Sequence, residues 1–325
     1  MYRRKFLPFH LRHDPLRVNG ERAPAYMPPD ALALIRRAKA EAKVKEGRAQ
    51  APNDVKAVVP LPPLSLLHLP ALPPAISHRD LPSGSVHYVP DFVTAADEEL
   101  LLQHIFSPEN VSRWSAGNGR RTQNYGGDPS VPELSEELPG WLRQLNDALT
   151  RSGAWPLAGD HVKLPPNHVI INEYSDGRAG LTPHTDGPLY AARVAVLSLL
   201  SDVVLELHTP CDDAVRCEAP TRLARMLLRR RSLNVLDAQA YNLFHGIRAA
   251  EADCITATSS GGGDAAESGG GSDDAESNAP RSQQLAEEED VVNRHEAGVG
   301  PRGELVRRER RVSIVFVCKL PEVLC

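Results

Sequence analysis

The sequence predicts a mainly β fold with flanking helices, a sandwich or barrel with helical buttresses. Three observations point there. Two amphipathic helical stretches come first, five short apolar strand-like stretches follow between residues 168 and 318, and no alternating strand–helix–strand unit or internal repeat intervenes. Helices gathered before the strands, rather than threaded between them, argue against a doubly wound parallel sheet.

The first helix is expected over 95–106. Thr94, with Asp97 three residues later, resembles a capping box, and Leu100, Leu101 and Ile105 fall on one side. The second begins near Pro139, with Trp141, Leu142, Leu145 and Leu149 in one stripe. Strands are expected at His168–Tyr174, 194–200, Val203–His208, 233–236 and 312–318. In an extended chain, neighbours point to opposite faces. His168, Ile170, Asn172 and Tyr174 therefore share one face, with Val169, Ile171 and Glu173 on the other. In the last strand Arg311 and Ser313 share a face with Val315 and Val317, while Val312, Ile314, Phe316 and Cys318 form an apolar face.

Outside this region the composition changes. Residues 1–84 carry 14 Lys+Arg against 7 Asp+Glu: a basic extension over 1–49 with a helix expected at 31–48, then a proline-rich linker over 50–84. Residues 257–300 hold 10 Asp+Glu against two arginines amid Gly, Ser and Ala, which predicts a disordered acidic insertion over 257–303. The folded domain is then 85–256, completed by a strand in 304–325.

Several function classes are disfavoured. The net charge of −5 argues against binding nucleic acid by bulk charge. No run reaches the roughly 18 apolar residues of a membrane span, so no membrane role is expected. Five cysteines, an odd number without a C-x-x-C, imply neither a disulfide framework nor a structural zinc site. The opening, with Arg3, Arg4 and Lys5, has no apolar signal core. Cytoplasm or nucleus is the expected location, with an organelle transit peptide as the minority reading. No stable protein partner is predictable.

Two His-x-Asp triplets occur, His78-Arg79-Asp80 in the proline-rich stretch and His184-Thr185-Asp186 after a strand and a glycine-containing turn. Residues i and i+2 of an extended segment face the same way, so His184 and Asp186 are placed to share a metal. His245, where a later strand returns, is the third candidate. Two imidazoles and a carboxylate form the facial set that leaves positions open on Fe(II). Turn or core histidines are the equally weighted alternative at this point. Arg311, projecting from a strand, calls for a carboxylate, for which a small dicarboxylate is a good bidentate partner; the surface end of an arginine-rich run is the other reading.

Together, the segments Pro166 to Tyr174, Pro183 to Tyr190, Tyr241 to Gly246 and Arg311 to Ser313 resemble the AlkB-type Fe(II)/2-oxoglutarate dioxygenases, and among them the sixth AlkB homologue subfamily. Residues 119–127 are similar to that subfamily's lid region. The resemblance covers about residues 85–250 and 304–320. It implies a double-stranded β-helix (jelly roll), iron on His184, Asp186 and His245, and 2-oxoglutarate on Asn172, Tyr174, Arg311 and Ser313. O2 is the implied cosubstrate, ascorbate an accessory reductant, and no catalytic residue is implied beyond the metal site.

The implied reaction is oxidative demethylation of an N-alkylated nucleobase in RNA or single-stranded DNA. Arg120 and Arg121 are candidates for phosphate, and Tyr125, Tyr190 and Trp114 for stacking on a base or lining its pocket. The family's second arginine, six residues after the first, is replaced by Val317, and Lys319 is the candidate to supply that charge. A binding module that has lost turnover and a protein-directed hydroxylase or demethylase remain as alternatives.

Overall fold

Antiparallel pairing organises this protein, seen here in a computed structural model. The structure describes residues 17–18, 21–22, 61–64, 66, 69–117, 119–156, 164–210, 220–257 and 290–320. The chain divides into two units, 1–60 and 61–325. In the first, β1 (Arg17–Val18) pairs antiparallel with β2 (Glu21–Arg22). The helix expected at 31–48 lies outside the described residues, as do 258–289 of the expected insertion.

The second unit opens with β3 (Val86–Val89) and α1 (Ala95–Ile105). Thr94 caps α1 as anticipated: its Oγ1 accepts from the Asp97 backbone N–H at 3.1 Å and donates to the Asp97 carboxylate at 2.7 Å. A 3₁₀ turn (Pro108–Arg113), β4 (Ser115–Gly117) and β5 (Arg120–Tyr125) lead to α2 (Gly140–Arg151), which buries Trp141, Leu142, Leu145 and Leu149. The strands β6 (His168–Tyr174), β7 (Leu181–His184), β8 (Tyr190–Leu199), β9 (Val203–His208), β10 (Arg222–Leu228) and β11 (Leu233–Asp237) follow. After the four-residue α3 (Ala238–Tyr241) come β12 (Phe244–Ile247), β13 (Ala252–Ile255), β14 (Glu304–Arg307) and β15 (Arg311–Lys319).

Two antiparallel sheets form a jelly roll. The larger has the order β3-β11-β8-β15-β6-β5-β4, the smaller β10-β9-β12-β7, and β13 pairs with β14 apart from both. The predicted alternation decides what each face of the larger sheet meets. Val169, Ile171, Val312, Ile314, Phe316 and Cys318 join the apolar core with α1 and α2. Val194, Val317, Leu205, Leu207 and Leu228 share the second core, between the sheets.

The stretch read as a linker and the one read as a disordered insertion are both structured where they are described. Within the expected spacer, Leu64, Leu66, Ile76 and Leu81 are buried. The Ile76 N–H donates to the Val86 carbonyl at 2.8 Å, and His87 Nδ1 lies 3.0 Å from the Pro73 carbonyl. This stretch thereby covers β3, an edge strand whose backbone groups need partners. Residues 290–303 likewise belong to the domain, which corrects the expected end of the insertion. Val292 N–H donates to the Arg225 carbonyl at 2.9 Å, and the fully buried Asn293 exchanges two bonds with Leu227, at 2.9 and 2.8 Å. These contacts seal β10, the edge of the smaller sheet.

Candidate active site

Strands β7 and β12 bring the chemistry together. Their antiparallel register sets His184 directly opposite His245, with ring centroids 4.6 Å apart. Gly246 permits this approach, because a Cβ there would lie 2.8 Å from the Leu181 carbonyl oxygen and 3.0 Å from the Pro183 nitrogen. Asp186 follows His184 at the strand end, its Oδ1 3.7 Å from His245 Nε2. One ligand atom from each of the three falls within 4.8 Å of the others.

The local bonding suits a metal. His184 Nδ1 lies 3.0 Å from the Thr182 carbonyl, which accepts its proton and leaves Nε2 with a free lone pair. Burial, reinforced by His245, lowers the His184 pKa and favours the neutral imidazole that metals require. Two imidazoles and one carboxylate are a donor set that Fe(II) accepts while keeping open positions. His78 and Asp80, of the other triplet, lie at the surface away from this cluster.

The cluster opens onto a cleft between the two sheets. Asn172 and Tyr174 of β6 and Arg311 and Ser313 of β15 line it. Asn172 faces Ser313 across the β6–β15 pair, with Nδ2 3.4 Å from Oγ. Arg311 is 4 % exposed, and its Nη2 donates to Ser198 Oγ at 2.9 Å. Its Nε is buried without a partner, and no carboxylate of the described residues pairs with it. Burial lowers its pKa, so the guanidinium sits at a desolvation cost that a bound anion would offset.

Val317 is buried opposite His168 and Val194. Lys319 does not replace the charge missing there. The strand reaches it, but its ammonium donates to the Asp128 and Glu133 carbonyls, at 2.6 and 3.2 Å, and it does not line the cleft.

Of the residues considered for substrate, only Arg120 lines the cleft. Arg121 points to the other face of β5, where it pairs with Glu173 and stacks 4.3 Å above Trp114. Trp114 stacks in turn on Phe106. Tyr125 is a core anchor, 1 % exposed, with its hydroxyl donating to Gln123 at 3.0 Å. Tyr190 is buried against His168, its hydroxyl 3.4 Å from Nδ1. These four corrections share a cause: alternation assigns each residue a face, and the neighbouring strands and helices decide whether that face meets ligand or core. Sequence reasoning missed Ser198, which holds Arg311, and Asn234, which lines the cleft. The one signal for Asn234 was a carboxamide inside the apolar run Leu233–Leu236.

A jelly roll that presents two imidazoles, a carboxylate and a buried unpaired arginine to one cleft has the make-up of an iron- and oxo-acid-dependent oxygenase. No family model matches the chain. A Danio rerio protein named "Probable RNA/DNA demethylase ALKBH6" is 36% identical over 178 residues, covering 53% of this chain and 73% of that protein. A Macaca fascicularis tRNA (carboxymethyluridine(34)-5-O)-methyltransferase, ALKBH8, is 25% identical over 189 residues, or 55% of this chain and 26% of that one. The chain belongs to the AlkB-type Fe(II)/2-oxoglutarate-dependent dioxygenases. Among solved structures, OsALKBH1 superposes with a TM-score of 0.42 at 12% identity, covering 72% of this chain and 97% of that one. A Trichoplax adhaerens prolyl hydroxylase gives a TM-score of 0.38 at 9% identity, with coverages of 72% and 84%.

Proposed function

We propose that this dioxygenase oxidatively demethylates an N-alkylated nucleobase in RNA or single-stranded DNA. The observation that carries the reading is the buried, unpaired Arg311 in the same cleft as the His184, Asp186 and His245 cluster. An anion-binding group and a metal-binding group facing one space suit an oxo-dicarboxylate that ligates a metal at one end.

In this reading His184, Asp186 and His245 hold Fe(II), and Arg311 and Ser313 hold the distal carboxylate of 2-oxoglutarate, with Asn172 and Tyr174 beside it. When bound, iron with 2-oxoglutarate and O2 supplies the oxidising power for C–H hydroxylation, and ascorbate serves as an accessory reductant. The Thr182 carbonyl fixes the His184 tautomer. Val194, Val196, Leu205 and Leu236 keep the cleft apolar and limit water. Hydroxylating an N-methyl carbon yields a hemiaminal that collapses to the free amine and formaldehyde.

The nucleic-acid part rests on the rim and on the Danio rerio relative's name. Arg120 lines the cleft with no ion pair among the described residues, and its charge acts on His184. A cation at the mouth suits the phosphate beside a nucleotide turned into the cleft.

The test is to load the full chain anaerobically with Fe(II) and 2-oxoglutarate, admit O2, and measure succinate and formaldehyde with N-methylated RNA, DNA and peptide. Turnover with an oligonucleotide, lost in His184→Ala and weakened by salt, is the expected result. Turnover with the peptide alone would move the reading to a protein-directed oxygenase. Iron binding without succinate formation would move it to a binding module.

A further inference from the structure

Once the metal ligands, the oxo-acid residues and the rim arginine are set aside, one polar group of the cleft wall is left over, Asn234 on β11. It is 2 % exposed, and its Oδ1 is buried with no hydrogen-bond partner. Its surroundings in the wall are apolar: Val194, Val196, Leu205, Leu228 and Leu236. An unpartnered carboxamide costs free energy in such a place unless something entering the cleft bonds to it.

Strand register locates it. Asn234 lies opposite Val196 on β8, and Ser198, two residues along that strand, lies opposite Ser313 on β15. All of these project from the same face of the larger sheet. Strands about 4.8 Å apart and a rise of about 6.8 Å over two residues separate Asn234 from Ser198 by about 8 Å. Ser198 is where the Arg311 guanidinium is held, at 2.9 Å. From these two positions the Asn234 carboxamide and the Arg311 guanidinium both reach the lining of one cleft.

We infer that Asn234 is the second polar contact to the distal carboxylate of the oxo-acid, gripping it from the side opposite Arg311. The inference rests on the reading that the cleft takes 2-oxoglutarate. The two ends of a carboxamide have the same shape, so the NH₂ end turns to the ligand oxygen. Neither other side chain near this end of β15 can take the role. Val317 is apolar, and Lys319 is bonded to the Asp128 and Glu133 carbonyls. A neutral donor facing a cation selects for a carboxylate at a set distance, making Asn234 a specificity-determining residue for the cosubstrate rather than a catalytic one.

The experiment is calorimetric titration of the Mn(II)-loaded full chain with two ligands. One is N-oxalylglycine, an unreactive dicarboxylate of the same shape as 2-oxoglutarate; the other is 2-oxopentanoate, which keeps the oxo-acid end but lacks the distal carboxylate. Asn234→Leu is expected to weaken the dicarboxylate about tenfold and leave the monocarboxylate within twofold. Asn234→Ala, which introduces no clash, carries the same expectation, and ligand-free melting confirms folding of both. Equal weakening of the two ligands, or an unchanged dicarboxylate, overturns the assignment. Arg311→Met separates the levels. If it weakens the dicarboxylate while the Asn234 variants do not, only this inference falls; if the unaltered protein fails to prefer the dicarboxylate, the oxo-acid reading falls with it.

Discussion

The arginines around residue 310 show how far a single residue's role depends on where its side chain ends. Arg307 is exposed, while Arg308 is buried in a two-pronged pair with Asp253, at 2.6 and 2.7 Å. Arg310 pairs with Glu173 on the outer face, and Arg311 enters the cleft. Replacing Arg311 by Met removes an unpaired buried cation, so ligand-free stability is expected to hold or rise. Affinity for 2-oxoglutarate is expected to fall at least about 100-fold, the scale of losing a charge-assisted bidentate pair. Melting curves with and without 2-oxoglutarate check both halves; a variant that melts early yet still binds would contradict the reading.

His168 offers a test by pH. Burial lowers its pKa from 6.5 to about 4, while its ring nitrogens face the Gly127 carbonyl and the Tyr190 hydroxyl. The folded protein keeps this histidine neutral where the unfolded chain would protonate it. Its contribution is intact above about pH 6.5 and is lost as pH falls toward 4, by up to about 3 kcal/mol. Denaturant titrations between pH 7 and 4 should show a shallower loss of stability in His168→Gln than in the unaltered protein.

At the scale of elements, Lys319 links the end of β15 to the segment after β5. Replacing it by Met leaves two carbonyls without their donor, at a cost of about 1–3 kcal/mol. Amide exchange should rise across residues 126–135, while the KM for 2-oxoglutarate stays unchanged because the ammonium does not reach the cleft. A large rise in KM would return Lys319 to the role the sequence suggested. Thr94 and Asp97 show the opposite relation, since a local capping pattern is legible from four residues and the structure reproduces it. The short strands β3 and β7 have no comparable local signature, because their pairing partners, β11 and β12, lie far along the chain.

For the whole molecule, the unexpected feature is how the jelly roll finishes its edges. Proline-rich chain before β3 and residues 291–293 after the acidic stretch supply partners to β3 and β10. Asn293→Ala removes both side-chain bonds to Leu227 and should destabilise the domain by about 1–3 kcal/mol, read by chemical denaturation. An unchanged midpoint would mean that the segment decorates the domain rather than closing it.

The oxo-acid residues entered only as what the family resemblance implies, whereas the sequence by itself determined the fold class, the two capped or amphipathic helices, the faces of β6 and β15, and the His184-Thr185-Asp186 motif as a candidate metal site. Each is encoded locally, by a period of two or 3.6 residues or by a short polar motif. Tertiary structure alone decided that Tyr125 and Tyr190 are core, that Arg121 and Lys319 are committed elsewhere, that parts of the expected linker and of the expected insertion seal sheet edges, that Ser198 holds Arg311, and that Asn234 lines the cleft. The physical reason is that a side chain's face is set by its own strand, whereas its partner and its burial are set by chain brought in from 50 to 190 residues away.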